Sequence, residues 1–404
     1  MTDRDFFYKT LGLSEPWEVR DVKLDLGGRR VELEIGVKAG TVWGQDGVML
    51  PIEGYEERTW RHLDTMQLET VLRARVPRVR HPDGRTEMVS VPWATPRSRW
   101  TVAFEALAIR VMQACGSINE ASKLLRIDWR AAQRIMERAV QRGLERREVE
   151  RVERLGIDEK SFRKGHRYGT LLADLDEGRV LEVVEERTTQ AAGEALANLG
   201  ASVLQGVKAV AMDMSAAYAA AVREHCPQAD IVYDKFHVSA LLGQAVDRTR
   251  RQEHARLKAQ GDQILKSTRY DWLYDPGNMS EDRFLNFQEL VARDLKTARA
   301  WHHRVLFGEF WNHSDPQQAQ AFFQRWHARA IRSRLPFVVR AAQTLKAHLQ
   351  GLHNYLTHRI TNAMSEAFNS RIQSLKSAAR GFHLFSRFRT RILFFLGSLD
   401  LQPR

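Results

Sequence analysis

The hydrophobic positions change their spacing several times along the chain, and each change predicts a change of architecture. Val22, Leu24 and Leu26 alternate with polar residues, Gly27-Gly28 supplies a turn, and Val31, Leu33, Ile35 and Val37 alternate again, so residues 17–38 read as a β-hairpin. Residues 57–75 read as a helix ended by Val76-Pro77, and His81-Pro82-Asp83-Gly84 reads as the turn of a second short β stretch. Residues 1–95 are therefore predicted to form a small α+β module. From 101 to 148 the period lengthens to that of helices. Phe104, Leu107, Ala108 and Val111 share one face, Gly116-Ser117 interrupts, and Ile118, Ala121, Leu124 and Leu125 make a short helix. Arg126-Ile127 then turns, and Asp128 is placed to cap a longer helix running through Val140. Short helix, tight turn and longer helix make a helix-turn-helix, assigned to residues 96–150.

The middle of the chain shifts to runs suited to strands: 152–158, 168–175, 180–186, 207–212 and 229–233. Helical patterns fall at 189–199 and 215–225, and a long one begins near Phe236. Three strands joined by short turns, followed by βαβα units, predict a mixed sheet with helices on its faces. This is the order of a ribonuclease H-like core, with residues 151–237 as its first part. Residues 238–357 are helical throughout by pattern, broken at Asp275-Pro276-Gly277 and Asp315-Pro316, and read as an all-helical insertion. Residues 358–404 then supply the C-terminal helices of the core.

Composition narrows the classes. A chain of 404 residues exceeds one ordinary core, and 43% hydrophobic with 28% charged residues fits a multidomain α/β globular protein. No run of about 18 apolar residues exists to span a membrane. Met1-Thr2-Asp3-Arg4-Asp5 lacks an apolar signal core, so the expected location is the cytoplasm, in association with the nucleoid. Cys115 and Cys226 are the only cysteines, which excludes a disulfide framework and a Cys-rich zinc module. Lys plus Arg number 62 against 50 for Asp plus Glu, a net charge of +12 that predicts a polyanionic partner, most simply double-stranded DNA. On the longer helix of the helix-turn-helix, Arg130, Gln133, Arg134 and Arg138 suit phosphates and base edges.

Acidic residues at predicted strand ends carry the chemistry. Asp158 lies on the first strand of the core in Gly156-Ile157-Asp158-Glu159, and Asp213 closes the fourth in Met212-Asp213-Met214-Ser215. If those strands are adjacent and parallel, both carboxylates face one pocket. Glu366 is the candidate third. It is the only acid among seven cations between Arg359 and Arg391, and helical spacing puts Asn362, Glu366 and Asn369 on one face. Mg²⁺ is a hard ion that takes oxygen ligands, with Mn²⁺ expected to substitute. Two such ions about 4 Å apart can activate a water or a 3′-hydroxyl and stabilise the leaving oxygen of a phosphodiester. Arg371, Lys376 and Arg380 are placed to hold the DNA backbone. Asp234 and His237, just after the fifth strand, are possible auxiliary residues. Trp301, Trp311 and Trp326, and the series Phe382, Phe385 and Phe388, read as packing residues.

These residues resemble a bacterial insertion-sequence transposase of the Asp-Asp-Glu class, more narrowly its ISL-type family. The matching stretches are Trp60-Arg61-His62-Leu63-Asp64, Val76-Pro77-Arg78-Val79, Gly156-Ile157-Asp158-Glu159, Gly165-His166-Arg167-Tyr168, Met212-Asp213-Met214-Ser215, Tyr233-Asp234-Lys235-Phe236-His237 and the run from Thr361 to Ile372. The resemblance implies binding of terminal inverted repeats, metal-dependent DNA cleavage and strand transfer. It puts Asp158, Asp213 and Glu366 at the catalytic and metal-binding positions, and it implies a homodimer. The alternatives are a catalytically idle DNA-binding regulator and a nuclease on the same fold. One departure stands out. The family's N-terminal zinc module carries Cys and His ligands where this chain reads Trp43-Gly44-Gln45-Asp46-Gly47 and Arg80-His81-Pro82-Asp83-Gly84. Structural zinc needs four ligands, usually Cys and His, so the module is expected to fold without zinc.

Overall fold

Alternation at 17–37 makes the expected hairpin: β1 (Trp17–Asp25) pairs antiparallel with β2 (Arg30–Val37), Val22 opposite Leu33. The computed structural model describes residues 1–45, 48–148, 151–163, 167–274, 279–360 and 363–404. The chain forms two units, Met1–Arg147 with Leu399–Arg404, and Glu148–Ser398.

In the first unit, α1 (Asp3–Thr10) precedes the hairpin, and a small ribbon of β3 (Trp43–Gln45) and β4 (Val48–Leu50) follows it. The helix expected over 57–75 is absent. Two long strands stand there, β5 (Ile52–Arg61) and β6 (Glu69–Arg80), paired antiparallel with Trp60 opposite Leu72. With β7 (Thr86–Met88), they complete a sheet of order β1-β2-β6-β5, with β7 on β6. Pro77 does not end an element. It lies inside β6, past Ala74, the last residue of β6 paired with β2, where no ladder bond on that side needs its missing N–H. The sheet closes over Trp17, Trp60 and Trp93, with Trp93 4.8 Å from Trp17 and 5.5 Å from Trp60 in edge-to-face contacts.

The helix-turn-helix follows as expected. Thr101 caps α2 (Val102–Cys115) by accepting from Phe104 N, and Gly116 ends it at φ 62°. After α3 (Ile118–Leu125), Arg126 takes the left-handed conformation at φ 53°, and the Asp128 side chain accepts from Ala131 N at 2.9 Å to start α4 (Trp129–Glu145). This helix runs five residues beyond Val140, and the chain's last residues explain why. Arg142 donates to Leu401 O at 2.8 Å and Arg146 to Gln402 O at 2.7 Å, while a Cβ on Gly143 would sit 2.7 Å from Leu399 Cβ. Leu399–Arg404 therefore pack on α4, where the sequence reading had put them with the core.

The second unit holds β8 (Arg154–Arg163), β9 (Arg167–Asp174), β10 (Arg179–Glu185), β11 (Ala209–Met212) and β12 (Asp230–Tyr233) in the order β10-β9-β8-β11-β12. The first three are antiparallel, and β11 runs parallel to both β8 and β12. The helices α5 (Thr189–Ala197), α6 (Ala201–Gln205) and α7 (Ala216–His225) bury Ala192, Leu196, Leu204 and Val222 with Leu155, Ile157 and Leu172 of the sheet. From β12 the chain enters α8 (Lys235–Ala259), then α9 (Arg269–Leu273), α10 (Glu281–Ala292), α11 (Lys296–Gly308), α12 (Pro316–Arg332), α13 (Pro336–Ala347) and α14 (Leu349–His358). Trp311 and Trp326 are buried among them and Trp301 packs half-buried against the same core. Finally α15 (Ala363–Ala378) and α16 (Phe385–Leu396) return to the sheet. Phe388 and Phe385 pack on Phe162 of β8, and Arg389 forks onto Glu182 of β10 at 2.7 and 2.9 Å. Among the described residues no helix is long and apolar enough to cross a membrane.

Candidate active site

Register brings the strand-end acids together. Along the parallel pair, Ala211 is opposite Gly156, so two residues on, Asp213 comes beside Asp158. On the other side Met212 is opposite Tyr233, so Asp213 also comes beside Asp234. Parallel partners point their Cβ atoms to the same face, so continuing this register sets Asp158 of β8 in one row with Asp213 and Asp234, each one residue past the carboxyl end of its short strand. Gly156, two residues before Asp158, leaves that face open to Leu175: a Cβ there would meet Leu175 Cδ2 at 2.9 Å.

Each acid has a different surrounding. Asp158 accepts from Glu159 N at 2.7 Å, and its Oδ2 is ion-paired with Lys160 Nζ. Asp234 is the N-cap of α8, accepting from Phe236 N at 2.8 Å, with His237 Nε2 3.9 Å away. Asp213 accepts from Ser215 N at 3.1 Å and lines a cavity of about 460 Å³ with Glu159, Arg187, Tyr218, His237 and Gln244. Burial pushes the Asp213 carboxyl above the ordinary range, and the like charges of Glu159 and Asp158 push the same way, against His237 and the Ser215 hydrogen bond. Burial also pushes the Tyr218 hydroxyl up to about 12, so it stays protonated beside Thr170 Oγ1 at 3.2 Å.

Glu366 lies in α15, and its side chain falls outside what the structure describes. The path of the chain to it is described. Ile360 packs on Ala209 and Val232, on the face that carries the row of acids. Helix α15 then buries Phe368, Ile372 and Leu375, and Lys376 donates to Ser161 O of β8. Lys376 thus ties α15 to the sheet, while Asn369, Arg371 and Arg380 are exposed. Asn362 lies outside the described residues. Among the described residues no three His, Cys, Asp or Glu side chains form a metal-holding group.

The sequence reading missed Lys160, Glu159 and Arg187. Lys160 sits two positions from Asp158 on the same strand face, a spacing that signals contact once the strand is known to continue past Asp158. Arg187 pairs with Glu159 at 3.0 Å and lies over the Tyr168 ring. On α4, Arg130 and Arg134 are exposed as expected. Gln133 and Arg138 are not free to read DNA: Gln133 is buried and bonded to Glu137 at 2.8 Å, and Arg138 donates to the buried Glu105 at 2.7 Å.

Comparison with known proteins places this arrangement among the transposases. Residues 155–392, more than half of the chain, match a family model described as transposase, and residues 89–140 match the helix-turn-helix domain of transposase family ISL3. Residues 47–83 match the zinc-finger of transposase IS204/IS1001/IS1096/IS1165. The transposase for insertion sequence element IS1001 of Bordetella parapertussis is 26% identical over 71% of this chain and 73% of its own length. The transposase for insertion sequence element IS1557 of Mycobacterium tuberculosis is 29% identical over 80% of this chain and 78% of its own length. The chain belongs to the ISL3 family of transposases, DNA-binding proteins of insertion sequences that act through a helix-turn-helix domain in transposition.

The zinc-finger match corrects the expectation that the N-terminal module needs no structural zinc. That expectation rested on the missing cysteines. In the matched span, burial and the charge of Arg61 lower His62 to about 4, which keeps its imidazole neutral, and its Nδ1 is 2.9 Å from Thr101 Oγ1. His81 Nε2 is 3.3 Å from Glu87. These two are not gathered with other donors among the described residues, so no ligand set is assigned.

Proposed function

We propose that the second unit is a ribonuclease H-like core that cleaves and joins DNA at the terminal inverted repeats of an insertion sequence, using Asp158, Asp213 and Glu366 to hold divalent ions. The observation that carries this reading is the parallel register of β8 and β11, Ala211 opposite Gly156, which leads Asp158 and Asp213 close enough for their charges to repel. The donor set fits Mg²⁺, or Mn²⁺ in its place, because carboxylate oxygens are the ligands hard ions prefer. Ions held there would supply Lewis-acid activation of the attacking oxygen and charge neutralisation at the leaving one. The residues of the chain prepare that site. Partial burial and neighbouring acids keep Asp213 poorly satisfied on its own, so a cation there relieves the repulsion. Lys160, ion-paired with Asp158 Oδ2, would be at hand to meet a phosphate oxygen if that carboxylate held a metal. His237, which lines the cavity, and Asp234 3.9 Å from its Nε2 orient the approaching strand.

Exposed Arg130 and Arg134 on α4 read the repeat, with Arg371 and Arg380 on the backbone near the cut. Action on two ends calls for a homodimer, and the place of work is the nucleoid in the cytoplasm. The test is cleavage of a duplex carrying the repeats that flank the gene, with Mg²⁺, for wild type beside Asp213→Ala. Cutting at the repeat boundary by wild type alone is the expected result. Binding without cutting by both proteins would leave a DNA-binding regulator, and cutting by both would remove Asp213 from the site.

A further inference from the structure

Beside the Asp213 cavity lies a second one of about 470 Å³, lined along α8 by Phe236, Gln244, Asp247, Arg248 and Arg251 and closed by Arg269 and Arg304. Ala240 and Gln244 line both cavities, so the two are continuous along one face of the helix. The groove is strongly cationic. Four arginines face a single acid, Asp247, and that acid is already held from behind by the largely buried Arg250 at 2.8 Å. Burial works against the Asp247 charge, but its bonds to Arg250 and Arg251 hold the carboxyl below the usual range. Arg304 is fixed by donating to Trp272 O and Leu273 O, both at 2.7 Å. Arg251 and Arg269 stay more than half exposed, at 66% and 53%, while meeting Asp247 at 2.6 and 3.6 Å. Arg248 is exposed and has no ion-pair or hydrogen-bond partner for its side chain among the described residues. Packing alone does not call for an unpartnered guanidinium beside three others. Anionic oxygens do.

We propose that this groove is the track for the DNA strand next to the cut, with Arg248 and Arg251 neutralising its phosphates. The inference rests on the reading of the carboxylate row as the cleavage site. At 1.5 Å per helical residue, Arg248 and Arg251 lie about 16 and 21 Å along α8 from His237. At 3.4 Å of rise per nucleotide, that is about five to six nucleotides from the reacting phosphate.

The experiment uses the full chain without divalent metal, so that binding is read apart from cutting. Fluorescence anisotropy follows binding to a labelled duplex carrying the flanking repeat, across KCl concentrations. Arg248→Ala should lower the slope of log K against log salt by about 0.9, and Arg248→Ala/Arg251→Ala by about 1.8. The double lysine variant should keep the wild-type slope, since charge is retained. Trimming the duplex to fewer than about five base pairs beyond the cut, on the side that enters the groove, should erase the difference between wild type and the double alanine variant. If Arg248→Ala, which removes no ion pair or side-chain hydrogen bond among the described residues, binds with wild-type slope and affinity, the track is wrong. Cutting by Asp213→Ala would instead sink the cleavage reading and leave these binding results standing.

Discussion

Glu105 is buried and Asp213 partly buried, and the two units treat them in opposite ways. Glu105, 1% exposed on α2, is gripped by Arg138 at 2.7 Å and by Arg142, so its charge is matched and holds α4 against α2. Asp213 receives no arginine among the described residues. Its neighbours are a backbone N–H, a histidine and two further acids. In the first unit a buried charge is matched; in the second a partly buried one lines a cavity with its charge unfavourable, which is what the proposed ion site asks for. The contrast separates an acid whose charge is matched from one whose charge is not more sharply than burial does.

Four changes would break or sharpen that contrast. The largest effect should come from Asp158→Ala or Asp213→Ala, which should lower Mg²⁺-dependent cleavage by more than about 100-fold, since even partners of metal ligands cost about 10- to 100-fold. DNA affinity measured without metal should stay near wild type; loss of binding in both variants would make these acids structural. Next, Glu105→Gln should leave Arg138 and Arg142 without their buried counter-charge and cost about 3–5 kcal/mol in chemical denaturation. A loss under about 1 kcal/mol would remove Glu105 from the structural side of the comparison. Third, Arg130→Ala or Arg134→Ala should each weaken footprinting of the repeat by about 1–3 kcal/mol, whereas Gln133→Ala should leave the contacts unchanged. The smallest effect, and the most telling, is on Asp213→Asn. A carboxyl whose pKa is raised on folding favours its neutral form, so it destabilises the fold as pH rises from the ordinary Asp value through the raised one, and at neutral pH the full penalty applies. The Asn variant should therefore melt at a higher temperature than wild type at pH 7, with the gap closing below pH 4. A variant that melts lower at pH 7 would show Asp213 to be held as firmly as Glu105.

Much of the second unit was legible because its strands hold runs of buried residues, such as Leu155–Ile157, Leu171–Asp174 and Val180–Val184, that stand out as largely hydrophobic stretches. Asp158 and Asp213 drew notice only as a pair, because a single Asp after a strand is usually a turn or cap residue, while two on the first and fourth strands of this order are not expected by chance. The first unit was harder. β5 carries Glu56, Glu57 and Arg58 through its middle, where the glutamates have little strand preference, and it forms by pairing with β6. On α4 the difference between reading DNA and holding the fold is one residue, about 100° of rotation between Gln133 and Arg134, and sequence period alone does not settle it. Lys160 escaped notice because the first core strand was ended at Asp158, while β8 runs on to Arg163. Zinc was misjudged because the absence of cysteine was given more weight than the kinship of the module, which the match at 47–83 supplies.

The packing of Leu399–Arg404 on α4 has a consequence for how the chain is made. During synthesis the helix-turn-helix leaves the ribosome first but lacks the carbonyls that Arg142 and Arg146 bond until residues 401 and 402 have followed. A chain broken anywhere inside the second unit therefore keeps the helix-turn-helix but lacks the two carbonyls that tie Arg142 and Arg146 down.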